Sequence, residues 1–345
     1  MRRLFIAAIA AGVCSGAYAQ SSVTVYGRID VSANLLNFDS TATRPSSTLK
    51  TLTSDASLLG FSGTEDLGGG LRAYFKLEHG FQLDTGIQSN PTSFWNRETY
   101  VGLGNASAGS VQLGSQWGPA VVLSARTDAF GRLGNGALVN PFQGVRGYTL
   151  QYQNAIQYLS PRFAGFGGKF LVSAGEGAVT GRSSAGQIDY SSGPVLVGLA
   201  VDRIKVVAAS VGLIGAPVAS TTAYMGAAYD FNVVRLNAWY QTNRIDNLVN
   251  VNGYAVGATV SFGTSFLRAQ VARRTQANAG GTLVAVGYDY NLSKQSLVYA
   301  RLARQSNDGL SAIPLGPSVR ETAAQGLPAA GQDIRGLQLG IRHSF

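Results

Sequence analysis

The sequence has almost no cysteine, since Cys14 is the single one among 345 residues. It lies in a leader that starts with charged residues, continues as an apolar run to Val13 and ends in Ala17-Tyr18-Ala19. This is the pattern of a secretory signal peptide, so we expect residues 1–19 to be cleaved from an exported chain. The remaining chain, from Gln20, has no cysteine, so backbone hydrogen bonds and packing must stabilise it without disulfides.

Long hydrophobic runs are also missing. After the leader, no segment reaches the roughly 18 consecutive apolar residues of a membrane-spanning helix, which excludes a helical membrane protein. The mean hydropathy is nevertheless intermediate, at +0.09, and Gly, Tyr and Phe are abundant whereas Met is scarce. A transmembrane β-barrel has such an intermediate value, because each strand is apolar on one face and polar on the other.

Charge and reactive residues exclude further classes of function. The net formal charge is +9, and it falls to +7 when Arg2 and Arg3 leave with the leader. The basic residues are scattered singly and not in runs, so we expect no nucleic-acid partner. The two histidines, His79 and His343, belong to no G-x-S-x-G, H-E-x-x-H or Cys-His metal pattern. We therefore expect neither an enzyme nor a cofactor.

Period-two alternation predicts strands throughout the chain. In the last ten residues, Leu337, Leu339, Ile341, His343 and Phe345 share one face, and small or polar residues occupy the other. By itself this segment also fits an edge strand of a soluble sandwich. Another strand, YTLQYQNAIQYL, has a face with Leu150, Tyr152, Ile156 and Tyr158 and a face with Thr149, Gln151, Gln153 and Gln157. A row of inward glutamines indicates a water-filled interior.

Short turns alternate with long polar connections. About seven short turns and eight long loops predict about 16 antiparallel strands, with the loops on one side of the membrane. Long loops are expected at Asn37–Asp55, at 117–147 and at Ser306–Gln332. A soluble propeller would repeat its sequence in each blade, and no such repeat is present. Aromatic residues near strand ends fit interfacial girdles: Tyr100, Tyr158, Phe166, Tyr229, Phe231, Tyr288, Tyr290 and Phe345.

Five segments together resemble the trimeric general porins of Gram-negative bacteria, of the β-proteobacterial and neisserial type. They are SSVTVYGRID at Ser21–Asp30, LGFSGTEDLGGGLRAYFKLEHGF at Leu59–Phe81, NRETYVGL at Asn96–Leu103, NAIQYLSPRFAGF at Asn154–Phe166 and the terminal GLQLGIRHSF. The resemblance covers nearly the whole mature chain. It implies one all-β, 16-stranded transmembrane barrel over residues 20–345, with short periplasmic turns and long external loops, in the Gram-negative outer membrane.

The resemblance also implies partners and a constriction. Family members are homotrimers in outer-membrane lipid and lipopolysaccharide, and each copy has its own water-filled pore. The terminal aromatic residue, here Phe345, resembles the family's signal for the outer-membrane barrel assembly machinery. The third external loop of the family folds into the barrel and narrows it, which matches the irregular segment Gly118–Gly147. This segment is the expected constriction loop.

Candidate pore residues follow from matching the family's motifs. Arg28 in TVYGRID and Arg97 in WNRETY stand at wall positions that usually hold basic residues. Leu58, Ser62 and Gln157 stand where the family commonly has a basic residue, so these positions have lost their charge. Five other basic residues point inward by parity, and we expect them to line the hydrated lumen: Arg72, Lys76, Arg235, Arg268 and Arg274.

The loop departs from the family pattern as well. The acidic turn of the family appears here as Asp128-Ala129-Phe130-Gly131-Arg132, with Arg126, Arg132 and Arg146 around the one carboxylate. Our hypothesis is that the basic side of the constriction has partly moved from the wall to the loop, which favours anions. The expected function is passive diffusion of ions and small hydrophilic, mainly anionic solutes. A substrate-specific channel and a surface receptor or adhesin are the alternatives.

Overall fold

The computed structural model describes residues 22–138, 149–176, 182–246, 248, 250–316 and 327–345. These residues form seventeen strands: β1 (Ser22–Phe38), β2 (Ser47–Ser54), β3 (Leu58–Gly68), β4 (Leu71–Gly80), β5 (Thr99–Asn105), β6 (Gly109–Trp117), β7 (Gln151–Leu159), β8 (Phe166–Ser173), β9 (Ser183–Ser192), β10 (Val195–Val206), β11 (Val218–Asp230), β12 (Val234–Ile245), β13 (Val251–Phe262), β14 (Ser265–Thr275), β15 (Gly281–Asn291), β16 (Ser296–Asn307) and β17 (Ile334–Ser344).

In the described residues, one α-helix, α1 (Pro119–Thr127), and one 3-10 turn, Ala208–Val211, accompany these strands. Within the described ranges, no helix is long and apolar enough to cross a membrane. The expected signal peptide, residues 1–19, lies outside the described residues, as does Arg146.

The sheet closes on itself. Neighbouring strands are antiparallel, and β1 pairs with β17 from Arg28↔Ser344 to Phe38↔Ile334. β2 and β3 pair with the two halves of β1, and between them Ala56 adopts a left-handed φ of 57°. Because β2 and β3 together make one interrupted barrel strand, the described strands form a closed barrel of sixteen, as predicted. Closure leaves no unpaired sheet edge for lipid to meet.

The expected loop Asn37–Asp55 is wrong, because it contains a strand. β1 continues to Phe38, and the Ser/Thr-rich segment Ser47–Ser54 pairs with it as β2. The polar composition suggested a loop, but β-branched threonine favours an extended backbone, and pairing with β1 satisfies the peptide groups. The order of the strands still has seven short turns alternating with eight longer connections, as predicted.

Side-chain exposure follows the pleat. On β10, Leu199 is 57% exposed on the outer face, whereas Ala200 and Asp202 on the inner face are 2% and 4% exposed. On β17, Leu339 and Ile341 face outward and Gln338 is fully buried inside, which confirms the predicted alternation. An apolar outer face and a polar inner face are the pattern of a barrel in lipid.

The predicted alternation of β7 is wrong in its first half. Ile156 and Tyr158 are exposed and Gln157 is buried, as expected, but Tyr152 is buried and Gln153 is exposed. The reason is Asn154, whose φ of 52° is left-handed and coincides with a register shift on β6. One extra residue at such a bulge reverses the faces of all residues before it.

Most of the aromatic residues expected at the membrane interfaces lie on the outer face. Their exposures run from 37% to 56%: Tyr158, Phe166, Tyr229, Phe231, Tyr288, Tyr290 and Phe345. Tyr100 is the exception, because it is partly buried on the inner face, where its ring meets that of Tyr74 edge to face at 6.2 Å. The expected interfacial position of Tyr100 is therefore wrong.

The chain terminus joins the first strand. The backbone N–H of Gly27 donates to the carbonyl of Phe345 at 2.9 Å, and the N–H of Phe345 donates back at 3.1 Å. The Phe345 ring lies over Gly27, where a Cβ would come within 2.4 Å of it. Glycine at position 27 thus leaves room for the terminal ring at the seam of the barrel.

Candidate pore constriction

The segment after β6 turns into the barrel as helix α1. Gly118 precedes it and Pro119 starts it, a position where proline's missing N–H costs nothing. Leu123 points to the barrel wall and is fully buried, which contributes about 1.5–3 kcal/mol of stability. The basic Arg126 lies in the last turn, where it also complements the helix dipole. The predicted inward folding of this loop is confirmed for Gly118–Leu138, the part of it that is described.

Three arginines of the barrel wall hold the backbone of this loop. Each donates to a loop carbonyl: Arg235 to Arg126 at 3.1 Å, Arg268 to Ala129 at 2.6 Å and Arg301 to Leu133 at 2.8 Å. Arg235 and Arg268 were expected only to line the hydrated lumen, and Arg301 was not identified. Guanidinium–carbonyl bonds are charge-assisted and strong. These arginines therefore position the loop as well as contributing charge.

Asp128 organises the tip of the loop. Its carboxylate accepts the backbone N–H groups of Phe130 at 3.2 Å, Arg132 at 2.6 Å and Leu138 at 3.2 Å. The residue is 6% exposed. Burial raises the pKa of this carboxyl above its ordinary value and outweighs the three hydrogen bonds, which lower it. Asp128 thus serves the fold of the loop, because its carboxylate is occupied by three backbone N–H groups.

The two loop arginines in the described part of the loop make different contacts. Arg126 donates from Nη1 to Asp189 on β9 at 3.1 Å and from Nη2 to Ser191 at 3.3 Å. Asp189 is also bound by Arg162 from the β7–β8 turn. Arg132 has a left-handed φ of 63°, and its Nη1 donates to the Ser124 hydroxyl at 2.8 Å. In this ion pair the loop provides the basic residue, Arg126, and the barrel wall provides the acidic residue, Asp189.

The wall candidates Arg28 and Arg97 lie in one basic cluster. Arg28 donates to the carbonyl of Ala56 at 2.7 Å, and Arg97 and Arg342 are close enough to act on it electrostatically. Arg342 on β17 was not identified as a site residue, although period two had placed it on the polar face. Its Nε lies 2.6 Å from Asp30. Arg28 and Arg97 therefore lie close to each other. The loop arginines Arg126 and Arg132 make contacts with other residues, namely Asp189, Ser191 and Ser124.

Acidic groups balance part of this wall. The Nε of Arg97 is 3.6 Å from Glu78, and its guanidinium stands 5.2 Å from the Trp117 ring. Lys76 lies 3.0 Å from Glu78 and 2.7 Å from Glu98. Glu78 is buried and the other charged side chains are partly buried, so the pairs are stronger than exposed surface pairs.

The three positions that have lost their charge all face inward. Leu58 is 8% exposed and is the register partner of Arg28, and Ser62 is the partner of Lys76. Gln157 donates to Gln112 at 3.1 Å and to Gln116 at 2.6 Å. An amide network replaces a wall charge at Gln157.

A second loop also folds inward, and the sequence reading missed it. Within the expected polar connection Ser306–Gln332, Ile313 and Leu315 are 2% and 1% exposed. The Asn307 side chain accepts from the Ile313 N–H and donates to its carbonyl, each at 3.0 Å. The available signal was the pair Ile313 and Leu315, which stand close together in a segment expected to be polar. This loop lies inside the barrel beside the first, because Leu315 and Asn135 of the two loops both lie against Gly336 of the inner wall.

A recess of about 340 Å³ lies between the loop and strands β11–β14. Arg126, Arg235 and Arg268 line it, together with polar side chains such as Asn237 and Thr259. Asp230 from the β11–β12 turn also lines it, so the recess opens toward the side of the short turns. Three arginines and the two acids Asp128 and Asp230 therefore line the recess on that side of the loop.

Neither histidine has a partner set that suggests catalysis. His79 stacks on Phe94 with the ring centroids 4.1 Å apart, and His343 makes a hydrogen bond with Ser296 at 2.8 Å. In the part of the chain that the structure describes, no three His, Cys, Asp or Glu residues are grouped to hold a metal ion.

Comparisons with known proteins agree with this geometry. A sequence model described as Gram-negative porin matches residues 6–310. The chain is 31% identical to the outer membrane porin protein 32 of Delftia acidovorans over 367 aligned residues, with 100% of both chains covered. It is 29% identical to an outer membrane porin of Bordetella pertussis, covering 77% of this chain and 75% of that protein.

Solved structures show the same architecture. An anion-selective porin from Comamonas acidovorans superposes with a TM-score of 0.80 at 28% identity, covering 94% of this chain and 100% of that one. The outer membrane protein OmpT of Vibrio cholerae superposes with a TM-score of 0.64 at 15% identity, covering 94% and 98%. The second likeness shows the fold alone.

Proposed function

Because this chain belongs to the Gram-negative porin family and is an outer-membrane porin, we propose that it is a general diffusion channel that prefers anions. Ions and small hydrophilic solutes pass through the barrel between the inward loops and the wall. The side chains proposed to set the selectivity are Arg126 and Arg132 of the loop, Asp128 as their organiser, Arg28, Arg97 and Arg342 of the wall, and the uncharged Leu58, Ser62 and Gln157. Arg146 is proposed from the sequence alone.

The state of Asp128 carries the proposal of anion preference. Between residues 118 and 147 the sequence has one acid, Asp128, and three bases. That acid is buried and bound to three backbone N–H groups, whereas Arg126 and Arg132 are only partly buried. The loop therefore presents positive charge to the lumen, and fixed positive charge raises the local anion concentration. The similarity to an anion-selective porin supports the same conclusion.

The test is the reversal potential of single channels in a planar bilayer under a potassium chloride gradient. We expect the sign that indicates a higher permeability for chloride, and a larger preference at low salt because screening weakens. A cation-preferring or unselective channel would contradict the proposal. Solute flux with a narrow, saturable preference would instead favour the substrate-specific channel. A barrel without conductance would favour the receptor or adhesin, and we propose no catalytic activity.

We propose that the protein is a homotrimer in lipid and lipopolysaccharide, as the family resemblance implies. On a denaturing gel, an unheated sample is expected to migrate near three times the monomer mass, and a heated sample as the monomer. Interfaces between barrels are held by packing that detergent alone dissociates slowly. Migration of the unheated sample as a single barrel would contradict the trimer.

We propose Phe345 as a signal for the barrel assembly machinery, and residues 1–19 as a cleaved signal peptide. Replacing Phe345 with Ala is expected to lower the amount of protein in the outer membrane severalfold, because the exposed terminal ring is the recognised group. Ser344→Ala, one residue earlier in the chain, is the matched control and should leave the amount unchanged. Equal amounts of both variants would contradict the proposed signal. The protein recovered from the membrane should begin at Gln20.

A further inference from the structure

Four glycines of the inner wall, on β10, β11, β13 and β15, lie where the first inward loop presses against it. A Cβ added to each would clash with a loop atom: at Gly198 with Leu123 at 2.7 Å, at Gly226 with Thr127 at 2.6 Å, at Gly257 with Ala129 at 2.9 Å and at Gly287 with Phe130 at 2.8 Å. Ordinary contacts of a Cβ begin at 3.4 Å. The loop therefore approaches the wall more closely than any other residue type at these positions allows.

These glycines alternate with the arginines that hold the loop. Gly226, Gly257 and Gly287 lie on β11, β13 and β15, whereas Arg235, Arg268 and Arg301 lie on β12, β14 and β16. Gly287 is the register partner of Arg268 on one side and of Arg301 on the other. Because glycine has no side chain, the wall has a notch at Gly287, between the side chains of Arg268 and Arg301.

The ring of Phe130 fills that notch. It is 4% exposed, and the Arg301 guanidinium stands 5.7 Å from its centroid. On the loop side, a Cβ at Gly136 would come within 2.6 Å of the same ring. The ring is therefore held between a wall glycine and a loop glycine, so it cannot withdraw from the wall without moving the loop.

We propose that Gly226, Gly257 and Gly287 form a glycine seat that sets how far the loop stands from the wall, and thereby the free cross-section of the pore. A Cβ at Gly287 would lie 2.8 Å from the Phe130 ring, whereas an ordinary contact needs 3.4 Å. A side chain at Gly287 must therefore push Phe130 away from the wall, toward the pore axis, by 0.6 Å or more. Protein interiors are close-packed and transmit such a displacement. The loop moves toward the pore axis, and the pore narrows.

This inference rests on the channel being a porin and is independent of its ion preference. The seat contains no charge, so its substitution changes conductance and leaves the sign of the reversal potential as in the wild type. A failure of the anion proposal and a failure of the seat are thus distinguishable in one bilayer experiment.

The test is the single-channel conductance of Gly287→Val. We expect a loss on the order of tens of per cent, since ion flow depends on the width of the constriction. Gly186→Val on the outer face of β9 is the control for adding a valine to the barrel without a clash, because a Cβ there meets nothing closer than 3.6 Å, and we expect it to conduct as the wild type does. Heat-modifiable gel mobility reports that each barrel is folded.

A second substitution, at Phe130, distinguishes the loss of the seat contact from general damage to the barrel. Removing the ring in Phe130→Ala/Gly287→Val makes room for the valine, so we expect the conductance of this double variant to equal that of Phe130→Ala alone. If Gly287→Val does not fold, Gly287→Ala tests the same contact with one added carbon, and Gly257→Ala tests the neighbouring contact of the seat with Ala129. Conductance equal to the Gly186→Val control, or a loss that Phe130→Ala does not relieve, would overturn the proposal.

Discussion

Replacing both Arg126 and Arg132 with Ala is expected to remove most of the anion preference of the channel. A unit charge about 4 Å from a permeating ion in water contributes roughly 1 kcal/mol, or about a fivefold change in relative permeability. The measurement is the reversal potential under a salt gradient, in the same bilayer as the wild type. Asp189 keeps Arg162 as its partner when Arg126 is removed, so the variant leaves no buried acid unpaired.

The matched control removes two arginines from the outer face of the barrel. Arg304 and Arg335 are both exposed at the external ends of their strands and pair with Asp333 and Asp39. The double variant Arg304→Ala/Arg335→Ala has the same net charge as the loop variant, and we expect the wild-type reversal potential. If the loop variant also retains wild-type selectivity, the preference belongs to the wall cluster of Arg28, Arg97 and Arg342.

Asp128→Ala is expected to release the tip of the loop and make the open channel noisy. The substitution removes the acceptor for three backbone N–H groups, and each hydrogen bond to a charged group contributes about 1.5–3 kcal/mol. Water in the lumen can solvate the released N–H groups, so we expect local disorder and not unfolding of the barrel. The measurement is the variance of the single-channel current, which should rise severalfold, together with the mean conductance.

Two further variants distinguish whether Asp128 acts by anchoring the backbone of the loop or by its charge. Asp128→Asn keeps a carbonyl oxygen in the same place, so we expect noise between those of the wild type and Asp128→Ala. Asp230→Ala removes a carboxylate from the same recess, but the Asp230 carboxylate accepts its hydrogen bond from the Asn232 N–H of its own turn and does not hold the loop. We therefore expect quiet channels from it. Equal noise from Asp128→Ala and Asp230→Ala would show that Asp128 acts through its charge.

The errors of the sequence reading have local causes that only neighbouring strands reveal. The local sequence QYQNAI does not indicate that the backbone of Asn154 is left-handed, because the extra residue is defined by the register of β7 against β6. The polar β2 is a strand because β1 continues alongside it to Phe38. Tyr100 is an exception, because period two places it opposite Val101 and Leu103, which are exposed on the outer face, so the local pattern already predicted its inward position.

The sequence alone determined the fold class, the number of barrel strands, the alternation of short and long connections and the faces of strands such as β17. The pleat makes these properties periodic, and a period can be read from residues close together in the chain. Tertiary structure decided how the constriction is built. Arg268 contacts Ala129 across 139 residues, and Phe130 lies on Gly287. Such contacts exist only once the barrel has closed, so no local pattern encodes them.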